Sequence, residues 1–314
     1  MRLGDLGEFG LIERIERAAR RLAKPRAVAI GIGDDAAVLR PRPGEDVVLS
    51  TDAMVEGVHF RWVTESARNV GRRALVANLS DLAAMGARPL GFTLALAAPA
   101  QLPVRDFDGV LAGLLHEASA HGCALVGGNV SAARETSITL AVLGAVARGR
   151  TVTRRGARSG DRIFVTGRLG GTALEVAKAE RGRGRIRRVP TPRLRAGRAL
   201  ARIPAVSACI DVSDGLESDL RHLLEERALA AEVDLDAVPR PPRFAAACAC
   251  LGLDPERLVL AGGEDYELLF TARSSAPSAV RLARRLGIEV AEIGRVVPAG
   301  TGRSSARGGG WRHF

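Results

Sequence analysis

Apolar residues recur at helical spacing over 7–23, where Phe9, Leu11, Ile12, Ile15 and Leu22 fall on one stripe and predict an amphipathic helix. Further helical patterns lie at 67–85 and 106–121. Strand-like runs separate them at 27–32 (AVAIGI), 46–51 (DVVLST), 91–98 (GFTLALAA), 123–127 (CALVG) and 136–148 (TSITLAVLGAVAR). Such alternation predicts an α/β or α+β fold. The polar, basic stretch 149–161, GRTVTRRGARSGD, suits a junction, so two domains are expected at 1–149 and 150–314.

The second half opens with the strand RIFVTG at 162–167 and a helix after Gly170. Strands at 206–211, 232–236, 266–272 and 288–297 and helices at 214–230 and 278–286 complete the pattern. The stretch 181–198 carries eight arginines and no acid and reads as a flexible, exposed loop. The tail 299–310 is rich in Gly and Ser but leads into WRHF, which is expected to dock.

With 314 residues, 46% hydrophobic and 26% charged, the chain has enough apolar material for one large core or two ordinary ones. Apolar runs stay short of the roughly 18 to 20 residues a membrane-spanning helix needs. The N-terminal stretch mixes acids with bases and has no signal-like apolar core, so a cytoplasmic location with no membrane partner is expected. Cys123, Cys209, Cys248 and Cys250 sit among small apolar residues and read as buried thiols rather than a zinc or redox site. The net charge of +11 admits nucleic-acid binding, but aromatics make up only 4%, too few for stacking platforms. An Arg-rich composition on solvated faces accounts for the charge, and no nucleic-acid partner is expected.

The chain has no G-x-x-x-x-G-K-[ST] phosphate loop, G-I-G at 31–33 lacks the third glycine of a dinucleotide fingerprint, and H-R-D and D-F-G are missing. The acids are more telling. Asp34 and Asp35 follow a strand and a Gly-x-Gly turn, and Ser50, Thr51 and Asp52 end another strand. Asp211, Ser213 and Asp214 close a third as DVSDG, and Glu264 and Asp265 follow two glycines in AGGEDYELLF. Any one of these reads as a cap or a turn. Asp81, well inside the helical pattern NLSDLAAMGA, does not. Five such clusters suit Mg²⁺, a hard cation held by a few oxygen ligands and substrate phosphates. Neighbouring glycines allow backbone to approach a polyphosphate.

GIGDDAAVL, LSTDAMVEGVHF, NLSDLAAMGARP, LVGGN, TRRGARSGD, DVSDGL and AGGEDYELLF occur in that order. The set resembles the thiamine-monophosphate kinase family, in the superfamily of aminoimidazole ribonucleotide synthetase and selenophosphate synthetase. The resemblance spans about residues 8 to 314. It implies two α/β domains, a homodimer paired through N-terminal-domain strands, and transfer of the γ-phosphoryl of ATP to thiamine monophosphate. It also implies several Mg²⁺ ions held by Asp35, Ser50, Thr51, Asp52, Asp81, Asn129, Asp211 and Asp214. Gly128, Asn129, Arg154 and Ser213 would lie near ATP, and His59, Glu264 and Trp311 near the thiamine side.

Alternatives stay open at several positions. Trp311 could stack on a heteroaromatic cation or anchor the C-terminal segment. His59 could be a polar strand-end residue, and Arg155 could exchange roles with Arg154. Asn129 departs from the family's GGD, which removes one negative charge; it either ligates metal through its amide oxygen or makes a turn after Gly127 and Gly128. The acceptor is already an anionic phosphate, so direct in-line transfer with no catalytic side chain is expected. The rivals are another ATP-using superfamily member and a basic nucleic-acid-binding protein.

Overall fold

The computed structural model describes residues 1–20, 22, 25–224 and 228–299. The chain forms two compact units, Met1–Leu82 with Arg88–Arg148 and Gly182–Val189, and Ala83–Ala87 with Gly149–Arg181 and 190 onward. No described helix is long and apolar enough to cross a membrane.

The elements of the first half are α1 (Leu3–Ala19), β1 (Val28–Ile30), β2 (Val38–Leu39), β3 (Glu45–Val55), α2 (Ala67–Ala84), β4 (Arg88–Ala98), α3 (Val104–His121), β5 (Ala124–Ala132) and β6 (Ser137–Ala147). β1 and β2 make a small antiparallel pair. The main sheet runs β3-β6-β4-β5, with β4 and β5 parallel and the other pairs antiparallel. Its core holds Val70, Leu75, Leu79, Phe92, Leu114, Ile138 and Leu140, all fully buried. The 3.6-residue stripe of α2 and the alternation of β6 place these side chains inward.

The second half contains β7 (Arg162–Thr166), α4 (Gly171–Glu180), α5 (Leu194–Leu200), β8 (Val206–Asp211), α6 (Leu216–Leu224), β9 (Leu229–Val233), α7 (Phe244–Ala249), α8 (Pro255–Ala261), β10 (Leu268–Ala272), α9 (Ala279–Leu286) and β11 (Val290–Pro298). Its five-stranded antiparallel sheet has the order β8-β10-β7-β11-β9. Ile163, Val165, Leu216, Phe244, Leu269 and Ile293 form its core. The register Leu268 with Asp211 brings the end of β8 to the start of β10.

Several expectations change. The N-terminal helix begins at Leu3 and kinks at Gly7, and only Leu3 and Leu11 of α1 are buried. Phe9 is 84% exposed and Ile12 is also exposed, so the expected stripe does not face the core as a whole. α5, α7 and α8 were not expected; each has only six or seven residues, too short for periodicity to register. The Arg-rich stretch is not a free loop. Ile186 is buried, its N–H donates to Thr64 O at 2.8 Å, and the Arg185 guanidinium donates to Trp62 O and Glu65 O. Cys250 is exposed, unlike the other three cysteines. The tail that carries Trp311 lies outside the described residues.

Candidate active site

In the first unit the acids gather around β3 and α2. Period-two alternation puts Ser50 and Asp52 on one face of β3 and Thr51 on the other. Ser50 Oγ donates a 2.5 Å hydrogen bond to Asp81 Oδ2. Burial pushes the Asp81 carboxyl above the usual carboxylate range, the nearby Asp52 charge adds to this, and the Ser50 hydrogen bond opposes it. Thr51 Oγ1 donates instead to Leu140 O across the β3–β6 pair, at 2.9 Å. Asp35 is exposed between β1 and β2, where its N–H donates to Asp34 Oδ1.

Gly128 and Asn129 lie inside β5, paired with Leu94 and Ala95 of β4. Asn129 is therefore a strand residue, which rules out the turn alternative, and it is exposed. Gly128 is required by close approach: a Cβ there would stand 2.0 Å from Leu94 O.

His59 follows β3 in a tight turn. Its Nδ1 accepts the Val55 N–H at 3.1 Å, which fixes the tautomer with the proton on Nε2. Beneath this turn lies the buried Arg73–Glu65 ion pair. Arg73 also donates to His59 O at 3.3 Å, and Glu65 Oε1 accepts from Asn69 Nδ2 at 2.7 Å.

In the second unit the DVSDG and GGEDYEL segments are bound directly to each other. Glu264 N–H donates to Ser213 O at 2.7 Å, Tyr266 N–H to Val212 O at 2.9 Å, and Val212 N–H to Glu267 O at 2.8 Å. Gly263 is required here because a Cβ would lie 2.1 Å from Ser213 O. Glu264 and Tyr266 both adopt positive φ, 62° and 51°, a costly backbone state for residues with side chains. Asp265 between them is buried, and its carboxylate accepts from Gly170 N at 2.5 Å and Thr172 N at 3.1 Å, holding the start of α4.

Two buried acids fell outside the sequence expectation. Asp219 in α6 accepts the N–H groups of Ser213 at 3.0 Å and Asp214 at 3.1 Å, both on Oδ2. Burial pushes its carboxyl up to about 8; the Asp211 and Asp214 charges add to this, and the two backbone hydrogen bonds oppose it. Glu267 takes a two-pronged ion pair from Arg193, at 2.7 and 2.5 Å, and a hydrogen bond from Thr166 Oγ1 at 2.7 Å. The sequence signal for Asp219 is an acid in the first turn of a helix, on a face otherwise apolar, a place where solvation is poor. Arg154 and Arg155 are exposed on a segment running beside β8, where Thr153 O accepts the Cys209 N–H at 3.0 Å.

Among the described residues no group of three or more His, Cys, Asp and Glu side chains is placed to hold a metal ion. The donors in each unit are nonetheless all oxygen: Asp81 with Ser50 and Asp52 in one, Asp211 with Asp214 and Ser213 in the other. That chemistry fits Mg²⁺, which usually completes its shell with water and substrate phosphate oxygens.

Residues 33–146 match the family described as AIR synthase related protein, N-terminal domain, and residues 158–306 its C-terminal domain. The thiamine-monophosphate kinase of Mycobacterium tuberculosis is 36% identical over 295 residues, covering 90% of this chain and 86% of that protein. The crystal structure of thiamine-monophosphate kinase from Stenotrophomonas maltophilia K279a superposes with a TM-score of 0.80 at 35% identity, over 94% of this chain and 95% of that one. The structure of AaThiL complexed with AMPPCP and TMP superposes with a TM-score of 0.73 at 30% identity, over 100% of this chain and 99% of that one. With the fold, the motif order and the acid clusters in agreement, this chain belongs to the thiamine-monophosphate kinase family of AIR synthase related proteins.

Proposed function

We propose that this protein transfers the γ-phosphoryl group of ATP to the phosphate of thiamine monophosphate, giving thiamine diphosphate and ADP. The observation that carries the reading is the Ser50–Asp81–Asp52 constellation, on a chain similar over its whole length to one solved with AMPPCP and TMP. In this reading Asp35, Ser50, Thr51, Asp52, Asp81 and Asn129 of the first unit, and Asp211 and Asp214 of the second, hold Mg²⁺. Bound Mg²⁺ supplies neutralisation of phosphate charge. Gly128 and Ser213 bind ATP, and Arg154 is the phosphate-binding cation.

Transfer is direct and in line. The acceptor phosphate is anionic near neutral pH and needs no strong base. His59 is unsuited to that role, because Nδ1 is occupied by the Val55 N–H and Nε2 carries the proton. It serves as a donor on the thiamine side, where Glu264 and Trp311 are the other contacts.

The assay follows thiamine diphosphate from ATP and thiamine monophosphate, with and without Mg²⁺. Product is expected only with Mg²⁺, and unphosphorylated thiamine is expected to be a poor acceptor. Equal rates with thiamine overturn the in-line reading. Salt-sensitive duplex DNA binding without ATP turnover favours the nucleic-acid reading instead.

We also infer a homodimer formed through β3. This 11-residue strand is one of the two outer strands of its sheet, and Val47 and Leu49 are exposed on it, Leu49 by 66%. A long apolar edge is a template for pairing with another chain. Sedimentation of the native protein beside Leu49→Glu tests it; a monomeric native protein rejects it.

A further inference from the structure

We propose that Asp219 is a positioning residue for the Ser213–Asp214 turn, holding that turn in its ligand-binding shape without touching ligand itself. The proposal rests on the assignment of Ser213 and Asp214 to nucleotide and Mg²⁺ in the preceding subsection. Asp219 is only 2% exposed, whereas Ser213 and Asp214 are half-buried. The acid therefore lies behind the turn.

One oxygen, Oδ2, receives two consecutive backbone N–H groups, at 3.0 and 3.1 Å. Consecutive amides that converge on one acceptor fix both peptide planes of the turn. On its other side, Ser213 O accepts from Glu264 N–H at 2.7 Å. The segment is thus clamped from α6 and from the GGEDYEL loop. Asp219 is itself fixed, since its N–H donates to Gly215 O at 3.1 Å in the first turn of α6.

Helix capping alone does not explain this arrangement. A capping side chain precedes the helix and accepts from its first N–H groups, and in a capping box an acid at the third helical position reaches back only to the N–H of the cap residue, here Gly215. Asp219 sits inside α6 and reaches back to amides that precede the helix. What it satisfies is the loop that bears the candidate ligands.

The variants separate the hydrogen-bond acceptor from the ability to ionise. Asp219→Asn keeps an oxygen at nearly the same place and cannot ionise; Asp219→Ala removes the oxygen as well. The readouts are amide hydrogen exchange at Ser213 and Asp214 in the ligand-free protein, calorimetric binding of AMPPCP with Mg²⁺, and separate KM values for ATP and thiamine monophosphate. In Asp219→Ala, exchange at the two amides is expected to rise and AMPPCP affinity to fall, each about tenfold, the size expected from stranding buried donors. KM for ATP should rise with it while KM for thiamine monophosphate stays put. Asp219→Asn should restore all three. If Asp219→Ala does not fold, Asp219→Ser, whose hydroxyl is too short to span both amides, takes its place.

Unchanged exchange and affinity in a folded Ala or Ser variant overturn the inference. So does an Asn variant as impaired as Ala, because ionisation of the carboxyl rather than the clamp would then be responsible. Asp214→Ala is measured alongside and is expected to lose AMPPCP binding. If it binds normally, the assignment of the turn to nucleotide fails; if it loses binding while the Asp219 variants are normal, only the positioning role fails.

Discussion

Ser50 on the outer strand β3 donates its hydroxyl hydrogen to Asp81 Oδ2 on α2, 31 residues further along the chain, at 2.5 Å. The bond orients a carboxyl that burial and the Asp52 charge hold above its ordinary range. It makes a mid-strand serine and an acid in the last turn of a helix into one unit. Removing Asp81 by substitution with Ala is expected to lower turnover on the order of 10²-fold, the size of losing one preorganised charge stabiliser. Ser50→Ala should cost less, roughly tenfold, because the carboxylate remains but loses its hydrogen bond. Steady-state assays over a range of Mg²⁺ check both; near-normal turnover of Asp81→Ala at low Mg²⁺ would remove it from the site.

Asn129 replaces the family's Asp within β5, an edge strand whose backbone is fixed by pairing with β4. Asn129→Asp changes charge and leaves geometry almost untouched. Folding should be little affected, and the Mg²⁺ concentration for half-maximal rate should fall. Superimposable Mg²⁺ titrations of the two proteins, at saturating ATP and thiamine monophosphate, would count against metal contact at this position.

Asp219 gives a pH dependence to the ligand-free protein. Its folded carboxyl titrates at about 8, against about 4 for an exposed aspartate. Between those values the folded state holds a proton that the unfolded state has released. Unfolding free energy from this group is therefore greatest below about pH 4 and declines as pH rises to about 8. Asp219→Asn lacks this slope. Thermal melts in EDTA at several pH values should show the Asn variant gaining on the native protein as pH rises; a constant gap would reject the raised titration.

The Arg73–Glu65 pair is buried on both sides and lies under the His59 turn. Arg73→Ala leaves the Glu65 carboxylate buried without that cation, a change that typically costs about 3–5 kcal/mol. Urea midpoints measure the stability loss. The freed His59 carbonyl should also raise KM for thiamine monophosphate, and an unaltered KM in the folded variant would separate this pair from the site.

Much of the fold is legible along the chain because its long elements carry strong periods. α2, α3, β4 and β6 are long enough for 3.6- and 2-residue repeats to stand out, and their observed spans fall close to the expected ones. The motif order also identifies the family, because DVSDG and GGEDYEL are local strings whose glycines and acids sit next to each other. The chemistry of oxygen donors follows from residue type alone.

What sequence cannot supply is which distant groups meet. Glu264 N–H meets Ser213 O, and Asp265 holds the start of α4 about 95 residues earlier, through contacts that no local pattern encodes. Charge in sequence says nothing of backbone partners, so the Arg-rich stretch reads as a solvated loop; Arg185 and Ile186 find their partners at Trp62, Thr64 and Glu65. Phe9 shows the converse, an apolar residue on an apparent stripe that tertiary packing leaves in solvent. Sequence determined the elements, the family and the kinds of ligand atom, since these depend on short-range periodicity and residue chemistry. Tertiary structure decided which acids are buried, which are clamped and which face one another, since burial and electrostatic coupling arise only when segments far apart in the chain are packed together.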